Sequence, residues 1–360
     1  MTGMTIQRDP LVRSTLAAAA GTASRHAPSI LNTQPWRWRV HPGRLELFAD
    51  GARRLTATDP TGRSLMLSCG AVLHHARVAL AALGWSSTVS RLPDPAAPHL
   101  LATLLAAHPT PVTAQTRALL CAMRSRHTDR RPVAEAPLPA AELRDILAAA
   151  AGHARIHVVN AEQVLDLSVA VEHAAAIQVR DRGVCDELAY WTGPDAPAGT
   201  GVPAAVLPDR PAQTPVAGRQ FGCPGTLTIG RGHDRAAVYA VLYGDNDRPE
   251  DWLRAGEALS MVWLRATHLG VGLVPLSDVV EVGATRVMLR RRLLAGLGHP
   301  YLVLRLGIPD GEAEGPPHPP RLATGEVVDT DTAEVPRLAD ATPSDAGPQS
   351  TGRSREPRGA

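Results

Sequence analysis

The segment Ala27-Pro-Ser-Ile-Leu-Asn-Thr-Gln-Pro-Trp36 sets hydroxyl and amide side chains between two prolines, directly after an alanine-rich stretch. Pro28 and Pro35 fix φ and bias the residues before them away from helix. The stretch therefore reads as a rigid, extended loop presenting Ser29, Asn32, Thr33 and Gln34 in a set order. Loops of fixed shape with polar tips bind ligands. A second cluster, Arg124-Ser-Arg-His-Thr-Asp-Arg-Arg131, supplies guanidinium forks, an imidazole and a hydroxyl within one short run. Turned inward it is an anion site; turned outward it is a solvated basic face or a nucleic-acid patch. Proline-punctuated residues follow, Pro132-Val and Ala136-Pro-Leu-Pro-Ala-Ala-Glu-Leu143. They predict an extended arm entering a helix with an acidic first turn.

The elements that must position these clusters come from an internal repeat. Leu16-Ala-Ala-Ala-Ala-Gly-Thr-Ala23 recurs as Leu147-Ala-Ala-Ala-Ala-Gly-His-Ala154. Gly70-Ala-Val-Leu73 leads to Leu83-Gly84 as Gly256-Glu-Ala-Leu259 leads to Leu269-Gly270, with equal spacing between the glycines. Apolar residues fall at helical intervals in both copies, and each helix stops at a glycine. Each copy reads as helix, strand, long helix, glycine and a further strand, and Tyr301-Leu-Val-Leu-Arg-Leu306 reads as another strand. The expected fold is α+β, duplicated in one chain as a fused pseudo-dimer, with residues 1–120 as the first half and 121–330 as the second. Copy one carries the Pro28-to-Trp36 loop, which copy two lacks. Copy two carries a Pro- and Gly-rich insertion, residues 191–221, expected to be a lid or a disordered excursion. Residues 336–360 are expected to be a disordered tail.

Composition bounds the function. The 360 residues are 44% hydrophobic and 20% charged with a net charge of +2, which suits a soluble globular protein and not an electrostatic nucleic-acid binder. Every basic side chain apart from histidine is arginine, so no lysine Schiff base can form. Cys69, Cys121, Cys185 and Cys223 are scattered, which argues against zinc, iron–sulfur clusters and disulfides and suits buried free thiols in a reducing cytosol. No apolar run approaches a membrane span, and the N-terminal residues make a poor signal peptide. The expected location is cytoplasmic, with no membrane partner.

Together the loop and the arginine cluster resemble the FMN-dependent nitroreductase superfamily. Asn-Thr-Gln-Pro-Trp, Ser68-Cys-Gly, Thr128-Asp-Arg-Arg131 and Leu253-Arg-Ala-Gly-Glu-Ala-Leu259 are similar to its duplicated, single-chain Acg-type branch, over about residues 10 to 325. In that superfamily FMN lies at a dimer interface and takes its contacts from both subunits. The resemblance implies that Arg126, His127, Thr128 and Arg130 hold the phosphate, ribityl chain and pyrimidine edge. Pro28, Ser29, Asn32 and Gln34 would close the same site from the other copy. Arg321, in His318-Pro-Pro-Arg321, stands where the family supplies a phosphate-binding arginine, although this branch usually has two in succession and here Leu322 follows. Arg130 would be the cation at the flavin N1–C2=O edge, and no general acid is evident.

The implied activity passes hydride from NADH or NADPH through FMN to a small-molecule acceptor, a nitroaromatic or quinone. Because the Pro-Ser-x-x-Asn loop occurs only in copy one and the full arginine element only in copy two, one FMN per chain is expected. The chain would then act as a monomeric pseudo-dimer. An FMN storage or sequestering protein is the alternative, motivated by the insertion closing over the flavin. Trp36 and Trp38 read as core anchors of the loop, His74-His75 lacks a carboxylate at metal spacing, and Arg290-Arg-Arg292 reads as a solvated helix end. Glu257 and Glu281 stay open between the flavin face and salt bridging.

Overall fold

The computed structural model describes residues 10–230, 232–310 and 315–330. The expectation of a disordered tail over residues 336–360 falls outside these residues. Eight helices of more than one turn organise them: α1 Pro10–His26, α2 Arg63–Ala82, α3 Ala114–Ser125, α4 Ala140–Ala148, α5 Ala161–Gln178, α6 Arg182–Thr192, α7 Pro249–His268 and α8 Gly283–Arg292. The strands are β1 Trp36–His41, β2 Arg44–Ala49, β3 Trp85–Arg91, β4 Leu100–Pro109, β5 Arg155–Val158, β6 Val238–Gly244, β7 Gly272–Leu276, β8 His299–Gly307 and β9 Val328–Asp329.

The duplication is visible in the sheets. One has the order β3-β4-β2-β1-β9 and the other β7-β8-β6-β5. Apart from β9, the two orders are the same when β3 is matched to β7, and every pairing is antiparallel. β9 adds in parallel to β1, setting Val328 opposite Trp38, so the end of the described chain returns to the first sheet. The division expected at residue 120 falls inside α3, whose Ala122 and Met123 pack in the core of the first half.

The two halves meet where α2 crosses α7. A Cβ on Gly70 would overlap the Leu253 carbonyl oxygen, and one on Gly256 would overlap that of Leu67. Only glycine lets the backbones come this close. Leu67 of α2 consequently reaches the core of the second half, while Leu253 and Leu264 of α7 lie in that of the first. Both helices end at a leucine cap followed by glycine at positive φ, +84° at Gly84 and +72° at Gly270. By length and composition α2 could cross a membrane, which the count of consecutive apolar residues had not suggested, but most of it is buried in this core.

The insertion is ordered and packed, so the expectation of a disordered excursion is corrected. Val202, Val206 and Leu207 join Leu31, Leu55 and Trp191 in a small separate core. The Glu187 carboxylate of α6 accepts the backbone N–H groups of Thr56, Ala57 and Thr58 at 2.6, 3.1 and 2.8 Å. The thiols also differ from expectation. Cys69 is buried with Sγ 3.3 Å from the Pro35 carbonyl, whereas Cys121 and Cys223 are exposed and Cys185 is half-buried. Cys121 lies on the solvent face of α3, and Cys223 on a segment with little core of its own.

Candidate cofactor site

The loop after α1 is not extended throughout, contrary to the sequence expectation. It makes a 3-10 turn over Ile30–Asn32, with left-handed φ of 45° at Leu31, 56° at Asn32 and 49° at Gln34. Such conformations cost about 1–3 kcal/mol each for residues with a Cβ and persist only when the surroundings over-determine them. Here they do. The Ser29 hydroxyl accepts the Gln34 N–H at 2.9 Å, and the Ser68 hydroxyl of α2 accepts the Ile30 N–H at 3.1 Å. The Arg53 guanidinium donates to the carbonyls of Gln34 and Trp36 at 3.0 and 2.8 Å. Trp36 and Trp38 are buried in the core of the first half, with the Trp38 indole donating to the Ser24 hydroxyl at 3.1 Å.

Asn32 and Gln34 knit three distant segments together. The Asn32 amide donates to the Gly201 carbonyl at 3.0 Å and the Pro320 carbonyl at 2.8 Å, and its oxygen accepts from Arg321. The Gln34 amide donates to the Gly199 carbonyl at 2.7 Å, while its oxygen accepts the Leu322 N–H at 3.1 Å. A Cβ at Gly199 would sit 2.7 Å from the Arg321 carbonyl oxygen, and its φ is +82°. This joint thus demands glycine at 199.

Beside this joint lies a cavity of about 650 Å³, lined by both halves and by the insertion. That volume is ordinary for a cofactor or small-molecule site. Of the nine residues singled out from sequence, Pro28, Ser29, Asn32, Arg126, His127, Thr128, Arg130 and Arg321 line it. Gln34 does not; it is fully buried in the joint behind the wall.

Arg126 is 4% exposed. It donates from Nη2 to the His26 carbonyl at 3.2 Å and lies 4.4 Å from the Trp263 ring centroid. Its Nε and Nη1 have no hydrogen-bond partner among the described residues. Burial, then the neighbouring Arg321 cation, pulls its pKa down to about 9. Burial also pulls Arg321 down to about 10, and burial followed by the Arg219 charge does the same to Arg130. Arg130 donates to the Val206 carbonyl at 3.1 Å and stacks over Phe221 with 5.2 Å to the centroid. The His127 ring meets that of His318 edge-on at 6.2 Å.

Three further arginines on the wall escaped the sequence reading, and all have carboxylate partners; the exposed Arg210 has Asp209 at 3.7 Å. Arg219 of the insertion pairs with Glu281 at 2.9 Å and reaches the Ser277 hydroxyl at 3.3 Å. Arg305 of β8 pairs with Asp234 at 2.8 Å. Among the described residues, Arg126, Arg130 and Arg321 pair with no carboxylate. The wall therefore carries three uncompensated cations, the buried Arg126 with unpaired donors and the half-buried Arg130 and Arg321, and suits an anionic, multiply accepting group such as a phosphate. Trp263 also escaped the sequence reading; only the helix crossing brings it under Arg126.

The pseudo-symmetric position has a different fate. Glu257 follows Gly256 as Ala71 follows Gly70, and Arg77 and Trp263 stand equally far beyond those glycines, as do Arg91 and Ser277. Where the cavity presents Ala71, Trp263 and Ser277, the opposite side has the fully buried Glu257 bonded to Arg91 at 2.6 Å and Arg77 at 3.3 Å. His153 approaches the same carboxylate at 3.9 Å. A carboxylate and its counter-ions thus occupy that position. His74 and His75 meet one hydroxyl at the crossing, that of Ser260, at 2.7 and 2.9 Å.

No protein-family model matches the chain. Two Mycobacterium tuberculosis (strain H37Rv) proteins, each named as a putative NAD(P)H nitroreductase, are similar to it. Rv3131 is 37% identical over 311 residues, covering 86% of this chain and 89% of its own. Acg is 34% identical over 327 residues, covering 89% and 97%. Among solved structures, the FMN and NADPH-dependent nitroreductase NfnB from Sphigopyxis sp. strain HMH is 20% identical, covering 59% of this chain and 98% of its own, with a TM-score of 0.37. A Bacteroides fragilis nitroreductase with bound FMN is 13% identical, covering 55% and 93%, with a TM-score of 0.34.

Proposed function

The chain belongs to the Acg-type branch of the nitroreductases, and we propose that it is an NAD(P)H-dependent oxidoreductase holding one FMN in the cavity between its halves. The observation that carries this reading is the buried Arg126 guanidinium with two unpaired donor nitrogens on the cavity wall. Bound FMN would supply hydride and electron transfer between a reduced nicotinamide nucleotide and a nitroaromatic or quinone acceptor.

The residues divide the work of holding it. Arg126 and Arg321 would grip the phosphate, with Asn32 orienting Arg321 through its side-chain oxygen. Ser29 and Thr128 offer hydroxyls along the wall, and His127 a ring nitrogen. Arg130 sets a permanent positive charge in a poorly solvated site, which favours the more negative, reduced state of a bound flavin. Gln34 acts at one remove by fastening the joint that shapes the wall.

One FMN per chain is supported by the Glu257, Arg77 and Arg91 ion cluster standing at the pseudo-symmetric position. The working form is proposed to be a cytoplasmic monomer, since α2 and α7 supply within one chain the interface that a dimer would otherwise make. The absorbance spectrum of protein reconstituted with FMN tests the reading. A flavin spectrum at one equivalent per chain, bleached within seconds by NADPH or NADH, is the expected result. Two equivalents would refute the stoichiometry. Tight binding without bleaching would favour storage, a reading to which the insertion lining the cavity lends support.

A further inference from the structure

We propose that the buried Asp234–Arg305 pair is the positioning device that sets Arg130 against the cofactor, and through it the redox bias of the site. The proposal rests on the FMN reading above. Arg305 lies in β8, between β6 and β7, opposite Tyr239 and Val274. It is 8% exposed, and a charged side chain in the middle of a buried sheet is costly unless fully partnered. Replacing such a pair with apolar residues is often neutral or stabilising, so its presence calls for a role beyond stability.

Its partners point to that role. Arg305 Nη2 donates to the Asp129 carbonyl at 3.0 Å and to the Arg131 carbonyl at 2.8 Å. These are the backbone oxygens on either side of Arg130. Asp234, 2% exposed, holds Arg305 Nη1 with Oδ2 at 2.8 Å and accepts the Val133 N–H with Oδ1 at 2.7 Å. The chain is therefore pinned just before, just after and three residues beyond Arg130. The Ala134 N–H donates to the Ile308 carbonyl at 2.8 Å, laying the arm along the end of β8.

The charge balance favours the same reading. Arg131 folds back onto the Asp129 carboxylate, with Nε at 2.9 Å and Nη2 at 2.7 Å. The nearest carboxylate in sequence is thereby spent on Arg131, and Arg130 keeps its full charge on the cavity side. Asp234 itself does not line the cavity. Arg305 does line it, but with its charge balanced by Asp234, so the pair acts on a bound flavin through the Arg130 turn that it pins.

The test measures FMN affinity and midpoint potential of reconstituted wild type, Asp234→Asn, Arg130→Leu and the double variant. Asn at 234 keeps the volume and an acceptor for the Val133 N–H while removing the charge that holds Arg305. In Asp234→Asn, oxidised FMN is expected to bind within about threefold of wild type and reduced FMN about tenfold more weakly, a lowering of about 30 mV for a two-electron couple. Arg130→Leu should lower the potential at least as far, and adding Asp234→Asn to it should lower it no further, because the Arg305 cation thereby freed on the wall acts only to raise it. An unchanged potential in FMN-loaded Asp234→Asn, or a further lowering in the double variant, would overturn the proposal. Should Asp234→Asn fail to fold, Arg305→Lys serves instead. Its single nitrogen cannot hold Asp234 and both carbonyls, which Arg305 holds from Nη1 and Nη2, and the same loss of potential is expected, with an unchanged potential again overturning the proposal. A wild type that binds no FMN refutes the function itself, a result separate from a loaded variant with an unmoved potential.

Discussion

Replacing Arg126 by methionine separates two effects that the wild-type residue combines. Arg126 is buried with no carboxylate partner among the described residues, and its fall from the ordinary guanidinium range to about 9 corresponds to roughly 5 kcal/mol against the charged form in the folded state, an upper bound. Methionine keeps much of the stem and its packing against Trp263 while removing that charge. Folded ligand-free Arg126→Met should therefore be at least as stable as wild type, and up to a few kcal/mol more so. The loss appears on binding. Two charge-assisted donors, Nε and Nη1, become unavailable to the phosphate, at about 1.5–3 kcal/mol each. FMN affinity should fall by roughly a hundredfold or more, since each 1.4 kcal/mol is tenfold. Ligand at a hundred times its Kd stabilises by about 2.7 kcal/mol, so adding FMN should raise the wild-type melt well above its ligand-free value and the variant's far less, narrowing or reversing the ranking. The assays are thermal melts with and without FMN and a flavin fluorescence titration. Affinity kept within threefold would refute the assignment of Arg126 to the phosphate. A strongly destabilised ligand-free variant would refute the view that its charge is an uncompensated cost.

Three other outcomes follow from the geometry. Gly70→Ala should push α2 off α7, because the new methyl overlaps the Leu253 carbonyl, costing about 3 kcal/mol or preventing folding; a urea melt within 1 kcal/mol of wild type would contradict this. Gln34→Ala should strand the Leu322 N–H and the Gly199 carbonyl at about 1–3 kcal/mol, and hasten proteolysis between residues 193 and 230. Unchanged cleavage kinetics would deny the joint its role. Asp278 is buried, one carboxylate oxygen lacks a partner among the described residues, and burial raises its pKa to about 6. A carboxyl raised on folding favours the native state at low pH and loses that stability as pH rises from about 4 through 6. Asp278→Asn should thus exceed wild type by up to about 3 kcal/mol at pH 8 and match it near pH 4, while equal stability across that range would dismiss the reading.

Much of the site was legible because its signals are local. Two prolines flank a run of hydroxyls and amides, and an arginine cluster precedes a proline arm, so residue type drew attention to both segments and the family resemblance supplied the eight side chains that line one cavity. The backbone state of the loop was not legible. Proline restricts its neighbours toward extended conformations, but the left-handed turns at Leu31, Asn32 and Gln34 are held by Ser68, Arg53 and residues near 200 and 320. Gln34 failed as a wall residue for the same reason: its partners lie in segments far away in sequence. The insertion looked structureless because its apolar residues are sparse, and they pack only once Leu31 and Leu55 are beside them.

The sequence by itself determined the duplication, the long helices and their glycine stops, and the inventory of arginines, hydroxyls and amides. Those features follow from spacing along one chain and from what a missing Cβ permits. Only the tertiary structure decided which cations would stand uncompensated. Arg219 and Arg305 find carboxylates across the fold, whereas Arg126, Arg130 and Arg321 do not. It also decided that the position opposite the cavity would hold an ion cluster around Glu257. Charge balance in a poorly solvated interior depends on which distant groups arrive within a few ångströms, and spacing in sequence carries no record of that.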